Sequence, residues 1–319
     1  MTASGRKPVL LVIVGPTAVG KTVLSVRLAE AFDGEIVSAD SRLVSREMNI
    51  GTAKPTAEDR ARARHHLVDI ADPDETVGLA EFQSLAREAI EDIQSRGKLP
   101  ILVGGSGQYV RAMVEGWSIP GVEPDPAQRA ELVAQAKREG AQALHDRLAK
   151  IDPVAAERID ARNVRRVVRA LEVCLITGRP ISEQQRKQPP SYPIQQIGLT
   201  MPRSELFAQA DRRVDAMIEG GLAREVEQLL GAGYGWELPA MSGLGYAQFR
   251  ALHEEGATLE EIAVEIRRAT HGFIRRQYNW FRLTDRAISW FDVTTTTAAE
   301  IEEYVSNWLG GSSQAPVAG

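Results

Sequence analysis

The sequence contains a single cysteine in 319 residues, and this scarcity excludes two kinds of site. One cysteine can form neither a disulfide within the chain nor a cysteine-rich zinc site. Cys174 itself lies in the apolar helical stretch "RALEVCLIT", residues 169–177. We therefore predict that it is a small buried core residue.

Long apolar runs are also scarce. The longest early run, residues 9–14, is too short for a signal-peptide core or a membrane span, and it leads directly into a glycine loop. We therefore expect a cytoplasmic protein with no membrane contact. With 43% hydrophobic residues, the chain can still bury a full globular core.

An excess of positive charge is missing as well, because the formal net charge is −5. Bulk charge therefore argues against indiscriminate binding to nucleic acid. Arginines nevertheless concentrate at 162–170 and at 267–286, where Asp285 is the only acidic residue. This segregation predicts a basic surface on an acidic protein, although a solvated helix face is the alternative for either segment alone.

Apolar runs bounded by turn residues predict six strands. They are residues 8–14, 35–40, 65–70, 99–105, 196–200 and 287–293. Helical patterns lie between them, notably at 22–32, 211–233 and 259–284. The sequence therefore predicts an α/β fold in which helices flank a parallel sheet.

The character of the chain changes at residue 120. Helical periodicity then continues without an intervening strand until "RKQPPSYP", residues 186–193, interrupts it. We predict a helical insertion at 120–193 within a discontinuous core formed by 1–119 and 194–311. The composition of the remaining tail, 312–319, predicts disorder.

The predicted helix at 259–284 has two distinct faces. Ile266, Phe273 and Trp280 recur every seven residues on one face, whereas Arg268, Arg275 and Arg282 lie about 200° away. One face is expected to pack and the other to be basic. Trp280 could stack on a base, but its place in the apolar stripe favours the core.

Residues 15–22 read "GPTAVGKT" and match the phosphate-binding pattern G-x-x-x-x-G-K-[ST]. In this pattern backbone N–H groups wrap phosphate oxygens, the lysine reaches the outer phosphate and the hydroxyl ligates Mg²⁺. Between a strand and a helix, the loop predicts a P-loop NTPase-like core that binds polyphosphate, with Mg²⁺ on Thr22. Because ligands lie beyond the carboxyl ends of such strands, we expect the loop, Asp40 and 104–107 around one crevice.

An acidic residue is missing where a nucleotide hydrolase needs one. Hydrolases usually complete the Mg²⁺ shell from an acid at the end of an apolar strand, whereas "ILVGG" at 101–105 ends in glycines. Asp69 is a substitute, but a capping or turn role suits it better. Asp40 is better placed, and an outer Mg²⁺ ligand, a general base and a helix N-cap all remain open for it.

Two other groups of polar residues are set aside. His65 and His66 are adjacent, so on a strand they point to opposite faces and cannot jointly bind a metal. The acidic stretch "ADPDET" at 71–76 lacks the spacing of an aspartate-rich Mg²⁺ motif, and its proline interrupts any helix, so a turn is expected.

Eight motifs then appear in order along the chain. They are "GPTAVGKT", "SADS" (38–41), "MNIGTAKP" (48–55), "HHLVDI" (65–70), "LVGGSGQYV" (102–110), "RRVVRALEV" (165–173), "SGLGY" (242–246) and "RRQYNWFR" (275–282). Together they resemble the bacterial tRNA dimethylallyltransferases over residues 8–292, and "GTAKP" is peculiar to that family. The family prenylates the adenosine 3′ of the anticodon in tRNAs that read codons starting with U.

The resemblance implies that the cradled phosphates belong to dimethylallyl diphosphate. The N6 amine of adenine attacks the allylic carbon, and pyrophosphate leaves. Asp40 is implied as the general base, Arg213 as an arginine on the diphosphate, and Ser106 as a polar contact in the transfer channel. The implied diphosphate ligands, with Mg²⁺ on Thr22, are Gly15, Pro16, Thr17, Ala18, Val19, Gly20, Lys21 and Thr22.

For the second substrate, the resemblance implies that bases near the anticodon are flipped out and read, as chemistry on a stacked base requires. Arginine contacts to phosphate would position the stem and make binding sensitive to salt. The implied tRNA contacts are Asp40, Ser41, Arg42, Leu43, Ser106, Arg129, Arg165, Arg166, Arg169, Gly245, Tyr246, Arg275 and Arg276. Nothing in the sequence demands a partner subunit, so we expect a monomer.

Several positions depart from the pattern of the family. Polar or otherwise atypical residues replace the usual ones at Leu43, Ser45, Glu47, Asn49, Gln108 and Gln209. None of these departures touches Lys21, Thr22, Asp40 or Arg213. They affect the expected details of substrate contact more than the expected activity.

Three alternatives compete with tRNA prenylation. A P-loop small-molecule kinase explains the phosphate loop alone and leaves the arginine-rich insertion unexplained. A prenyltransferase that acts on free adenine nucleotide keeps the chemistry but has no need of the insertion. An RNA-binding protein with a vestigial site is opposed by the retention of Lys21, Thr22, Asp40 and Arg213.

Overall fold

The computed structural model describes residues 7–123 and 125–312. It divides into two compact units. The core unit contains the described residues up to Val114 together with those from Pro190 onward, and the helical unit is Glu115–Pro189. The helical unit begins and ends a few residues earlier than the insertion predicted at 120–193.

A six-stranded sheet in the order β3-β2-β4-β1-β5-β6 forms the centre of the core unit. Every strand pair in it is parallel, which confirms the predicted α/β class with a P-loop NTPase-like sheet. The strands are β1 (Leu10–Val14), β2 (Gly34–Ser38), β3 (His65–His66), β4 (Leu99–Gly104), β5 (Ile194–Thr200) and β6 (Ile288–Asp292).

The third strand is much shorter than predicted. The expected strand at 65–70 pairs only at His65 and His66. Leu67 and Asp69 then have φ angles of 60° and 58°, in the left-handed region that a strand cannot use. The chain therefore leaves the sheet directly after His66.

Both faces of the sheet are covered, which explains why β1 reads as an uninterrupted apolar run. Its alternate residues enter different core clusters, with Leu11 and Ile13 on one face and Leu10 and Val12 on the other. All four are fully buried. Burial of successive side chains on opposite faces follows from the two-residue period of a strand.

Helices make up most of the remaining described chain. They are α1 (Lys21–Phe32), α2 (Ala57–Arg62), α3 (Leu79–Ser95), α4 (Gly107–Val114), α5 (Pro126–Glu139), α6 (Ala141–Ile151), α7 (Pro153–Arg158), α8 (Val164–Thr177), α9 (Ile181–Gln184), α10 (Arg203–Glu219), α11 (Leu222–Gly231), α12 (Phe249–Glu255), α13 (Leu259–Trp280) and α14 (Ala298–Ser312). Of the helices in the described ranges, none combines the length and apolarity needed to cross a bilayer.

Helix limits differ from the prediction in three places. The helix predicted at 211–233 is two helices, α10 and α11, because Gly221 with a φ of 96° separates them. Helix α13 ends at Trp280 rather than at residue 284. Helix α14 extends to Ser312, so the predicted disordered tail begins within a helix, and its remainder, 313–319, lies outside the described residues.

Helix α13 has the two faces that its periodicity predicts, with one correction. Ile266 is fully buried, and Phe273 and Trp280 are half-buried. Arg268 and Arg275 are exposed on the other side, whereas Arg282 lies beyond the end of the helix.

The helical unit has its own apolar core. Leu144, Leu148, Val167 and Leu171 from α6 and α8 are fully buried in one cluster. Cys174 belongs to the same cluster and is 3% exposed, which confirms that it is a buried core residue.

Candidate active site

A cavity of about 390 Å³ opens in the core unit, between the phosphate loop, α10 and α13. Thr17 and Ala18 of the loop lie on one side, and Asp40 lies at the carboxyl end of β2. The remaining lining comes from 42–52, from α10, from 240–248 and from α13. The sheet thus presents its strand ends to the cavity, as expected for an open parallel sheet.

Lys21 at the start of α1 is bound into the phosphate loop. Its Nζ donates to the carbonyl oxygens of Gly15 at 3.0 Å and Pro16 at 2.7 Å. Burial lowers the pKa of Lys21 to about 8, although the nearby Asp40 charge opposes the shift and Arg213 adds to it. Lys21, Asp40 and Arg213 are therefore close enough to sense one another's charge, and the loop joins the helix N-terminus that favours anions.

Asp40 follows β2, and its side chain bonds to the backbone two residues further along the chain. The Arg42 N–H donates to its Oδ1 at 3.0 Å. The chain continues as a turn, and the next helix, α2, begins at Ala57 with Thr56 as its cap. Of the three roles left open for Asp40, the helix N-cap is therefore wrong, and its carboxylate faces the cavity.

Arg213 projects from α10 into the same cavity. Its Nη1 lies 3.5 Å from Thr17 Oγ1. Burial lowers the pKa of Arg213, and the charge of Asp40 opposes that shift. The alternative of a solvated surface arginine is therefore wrong. A cation held at the phosphate loop suits an anionic ligand.

Ser106 lies beside the cavity and is not among its lining residues. Its Oγ accepts a hydrogen bond of 3.2 Å from the Ser41 N–H. Through this bond the loop after β4 contacts the residue that follows Asp40. Arg42 is held separately, because its Nη1 donates to the Pro239 carbonyl at 3.1 Å.

A buried carboxylate that the sequence did not single out joins two of the quoted motifs. Glu225 of α11 accepts N–H bonds from Asn49, Ile50 and Gly51 at 2.8–3.2 Å. It also accepts the Tyr246 hydroxyl at 2.6 Å. The ring of Tyr246 packs directly on Gly51, where a Cβ would lie 2.5 Å from the ring, so only glycine fits. On its helix Glu225 resembles any surface acid, and no sequence signal distinguishes it.

Asp69 forms two ion pairs. It binds the buried Lys54 of "GTAKP" and, at 2.8 Å, Arg60 Nη1. Lys54 also donates to the Asn49 Oδ1 at 3.3 Å. These pairs agree with the expected structural role of Asp69 rather than a role in binding Mg²⁺.

The predicted RNA contacts fall into two groups. Arg165 and Arg166 of α8 and Arg275 and Arg276 of α13 are exposed. Arg129 and Arg169 instead both bind the fully buried Glu172, at 2.8 and 2.7 Å.

Three further expected RNA contacts are buried or half-buried. Gly245 and Tyr246 are buried, and Leu43 is half-buried outside the cavity lining. Arg129 and Arg169 keep 44% and 36% of their side chains exposed, and Tyr246 lines the cavity. RNA contacts of these residues and of Gly245 stay predictions.

A dedicated protein metal cage is absent from the described residues, where no three His, Cys, Asp or Glu side chains cluster suitably. His65 and His66 bond separately, to the Ala63 carbonyl and to Glu35. The Thr22 hydroxyl lies in the first turn of α1 and is exposed. Mg²⁺ binds through few protein oxygens and retains water, so a lone exposed hydroxyl beside a phosphate-binding loop suits it.

Comparison with known proteins gives a consistent result. The IPP transferase family model matches residues 43–284. The tRNA dimethylallyltransferase of Chloroflexus aggregans is 58% identical over 273 residues, covering 86% of this chain and 92% of that protein. That of Roseiflexus castenholzii is 57% identical and covers 86% of this chain and 89% of that protein.

Two solved structures are similar over nearly the whole chain. A tRNA isopentenylpyrophosphate transferase from Bacillus halodurans has a TM-score of 0.72 and 40% identity, covering 97% of this chain and 99% of that one. A eukaryotic dimethylallyltransferase acting on tRNA has a TM-score of 0.80 and 26% identity, covering 98% of this chain and 81% of that one.

Proposed function

The chain belongs to the family of tRNA dimethylallyltransferases, and on that premise we propose that its core cavity transfers a dimethylallyl group from dimethylallyl diphosphate to tRNA. The acceptor is the N6 amine of the adenosine 3′ of the anticodon, in tRNAs that read codons starting with U, and pyrophosphate is released. The observation that carries this proposal is the meeting of Asp40 and Arg213 with the phosphate loop in one cavity. A hydrolase-type acid is lacking at the end of β4, which ends at Gly104.

The phosphate loop holds the leaving group in this proposal. The loop at 15–22 supplies backbone N–H groups, except from Pro16, which has none, and from Thr17, whose N–H donates to Gln277. Lys21 and Arg213 supply positive charge on the diphosphate. Negative charge on the leaving oxygen increases as the C–O bond breaks, so these fixed cations stabilise the transition state more than the ground state. The two carbonyl contacts of Lys21 hold its ammonium group at the loop before the substrate binds.

Asp40 acts as the general base. The adenine amine is a poor nucleophile because its lone pair is delocalised, so removal of its proton as the C–N bond forms favours the transfer. The amine attacks the allylic carbon, the C–O bond to diphosphate breaks, and the amine proton passes to the Asp40 carboxylate. Its Oδ1 bond to the Arg42 N–H holds the carboxylate in place.

Magnesium is the proposed metal, with Thr22 as its protein ligand. The exposed Thr22 hydroxyl on the first turn of α1, next to Lys21, would hold a Mg²⁺ ion at the phosphate loop. When bound, Mg²⁺ neutralises charge on the departing pyrophosphate.

The exposed arginines of α8 and α13 are proposed to bind the phosphates of the anticodon stem-loop. Arg276 also lines the cavity and stacks on Phe273, with Cζ 5.7 Å from the ring centroid. An apolar wall with a cationic edge suits a flipped base whose phosphate stays outside. We propose that the protein acts as a monomer.

The direct test is transfer of labelled dimethylallyl diphosphate to tRNA that lacks the modification. AMP serves as the alternative acceptor, and ATP as the alternative donor. A matched tRNA with guanosine in place of the adenosine 3′ of the anticodon controls for the position of transfer.

Label in the adenosine-containing tRNA alone supports the proposal. Label in AMP keeps the chemistry but changes the acceptor to a free nucleotide. Phosphate transfer from ATP without any prenyl transfer contradicts the proposal and favours a kinase.

A further inference from the structure

Gln277 of α13 connects two loops that border the cavity. Its side chain is buried, and the residue is 3% exposed. Its Oε1 accepts the backbone N–H of Thr17 at 2.8 Å, and its Nε2 donates to the Gly105 carbonyl at 3.2 Å. Both polar ends of one amide therefore bind backbone groups, one in the phosphate loop and one in the loop after β4.

The packing around this amide leaves no spare room. A Cβ added at Gly105 would lie 2.1 Å from Gln277 Nε2. The φ angle of Gly105 is not positive, so its backbone alone would accept an alanine. The side chain of Gln277 is thus the reason for a glycine at this position.

Each end of the amide contacts a residue next to the proposed chemistry. The Thr17 hydroxyl lies 3.5 Å from Arg213, at the phosphate loop. Gly105 precedes Ser106, whose hydroxyl accepts the N–H of Ser41, the residue after Asp40. A change at Gln277 would therefore alter the separation between the leaving-group site and the base.

We propose that Gln277 is a positioning residue for the transfer step. It holds the phosphate loop and the 105–106 loop at a fixed separation, so that the bound diphosphate and the Asp40 carboxylate align on the acceptor amine. Gln277 lies on α13 directly after Arg276, which lines the cavity. This inference rests on the proposed function.

Gln277→Met tests the proposal because methionine keeps the length of the side chain and removes both hydrogen bonds. We expect kcat to fall about 10- to 100-fold, since small misplacements of reacting groups cost about this much. We expect the Kd for tRNA, and the Kd for inorganic pyrophosphate measured by calorimetry, to stay within about three-fold of wild type. The exposed Asn279→Ala, two residues along the same helix, is the control and should leave all three values unchanged.

Gly105→Ala provides a second test that leaves Gln277 in place. Its new methyl group displaces the amide, so kcat should fall as it does in Gln277→Met. In the Gln277→Ala background the methyl meets no amide, so Gly105→Ala should add little further loss. Non-additive losses of this kind support the proposal even where Gln277→Met fails to fold.

Three outcomes overturn the inference. One is a wild-type kcat in folded Gln277→Met, and another is additive losses in the double variant. The third is a parallel loss of tRNA affinity, pyrophosphate affinity and kcat, which indicates general loosening. A wild-type protein that transfers no prenyl group to tRNA instead contradicts the proposed function itself.

Discussion

Lys21 must carry a charge to bind diphosphate, yet it sits where burial opposes that charge. Burial lowers its pKa to about 8, so the group loses its charge in mildly alkaline solution in the free protein. A bound diphosphate favours the charged form and returns the pKa toward its ordinary range. The affinity for dimethylallyl diphosphate should therefore depend on pH through this one side chain.

The expected direction follows from the lowered pKa. Below pH 8 Lys21 is mostly charged and binds the diphosphate, and above pH 8 the free protein must first take up a proton. kcat/KM for dimethylallyl diphosphate, at saturating tRNA, should fall by up to about ten-fold per pH unit above 8. It is measured from about pH 6.5 to 9.5.

Lys21→Arg is the matched variant because arginine stays charged over this range. Its profile should lack the decline above pH 8, whatever its absolute rate. A wild-type profile that is flat through pH 9, or a decline retained in the arginine variant, would assign the titration to another group.

Helices α10 and α13, which both line the cavity, are held together by three side-chain contacts at matching positions. Phe207, Asp211 and Asp215 lie four residues apart on α10, and opposite them on α13 lie Arg275, His271 and Arg267. The pairs run in opposite directions along the two helices, as an antiparallel packing requires. They keep Arg213 of α10 and Arg276 of α13 on the same cavity wall.

The segment at 49–51 depends on Glu225 in α11. Glu225→Ala would leave three backbone N–H groups and the Tyr246 hydroxyl without their acceptor. We expect the free energy of unfolding to fall by about 2–4 kcal/mol, measured by urea denaturation. The exposed Glu227→Ala on the same helix should change it by less than about 0.5 kcal/mol. Equal stability of the two variants would mean that Glu225 does not hold the segment.

Helix α8 carries two exposed arginines, Arg165 and Arg166, and a third, Arg169, that binds the buried Glu172. Arg165→Ala and Arg166→Ala should each weaken tRNA binding and reduce the slope of log K against log salt by about 0.7–0.9. Arg169→Ala removes a partner of the buried Glu172, so it should lower thermal stability instead.

The control for this comparison is Arg179→Ala, which removes a loose pair with Glu183 just after the helix. It should leave the salt slope unchanged. Unaltered slopes in both Arg165→Ala and Arg166→Ala would remove α8 from the RNA interface.

At the scale of the whole molecule, the sequence predicts features formed by residues close together in the chain. It does not predict contacts between residues that lie far apart in the chain. The apolar runs predicted all six strands, and the spacing of "GPTAVGKT" predicted the loop between β1 and α1. The length of the third strand was overestimated. The left-handed backbone at Leu67 and Asp69 ends the strand, and the pattern of polar and apolar side chains does not reveal it.

Gln277 and Glu225 escaped prediction for a different reason. Their partners lie 260 and 176 residues away, at Thr17 and Asn49. A polar residue on a helix has the same local pattern whether it faces water or a backbone amide of another element. Only the tertiary structure distinguishes the two cases, and here it identifies the residues that hold the cavity loops.

The net charge of −5 does not prevent the proposed RNA binding, because the charges are segregated. Exposed arginines lie on α8 and on α13, while other arginines pair with carboxylates such as the buried Glu172 and the half-exposed Asp215. A local basic surface of this kind binds phosphate within a Debye length, which is about 8 Å at physiological salt.

In the proposed mechanism, the carboxylate of Asp40 takes the proton as the prenyl group is transferred in the cavity beside the phosphate loop. Single-turnover transfer by Asp40→Asn and wild type, with tRNA and pyrophosphate affinities measured alongside, tests it most directly. Asp40→Asn should transfer the prenyl group at least about 100-fold more slowly, with both affinities within about three-fold of wild type. A wild-type rate, or a loss of affinity as large as the loss of rate, would contradict it.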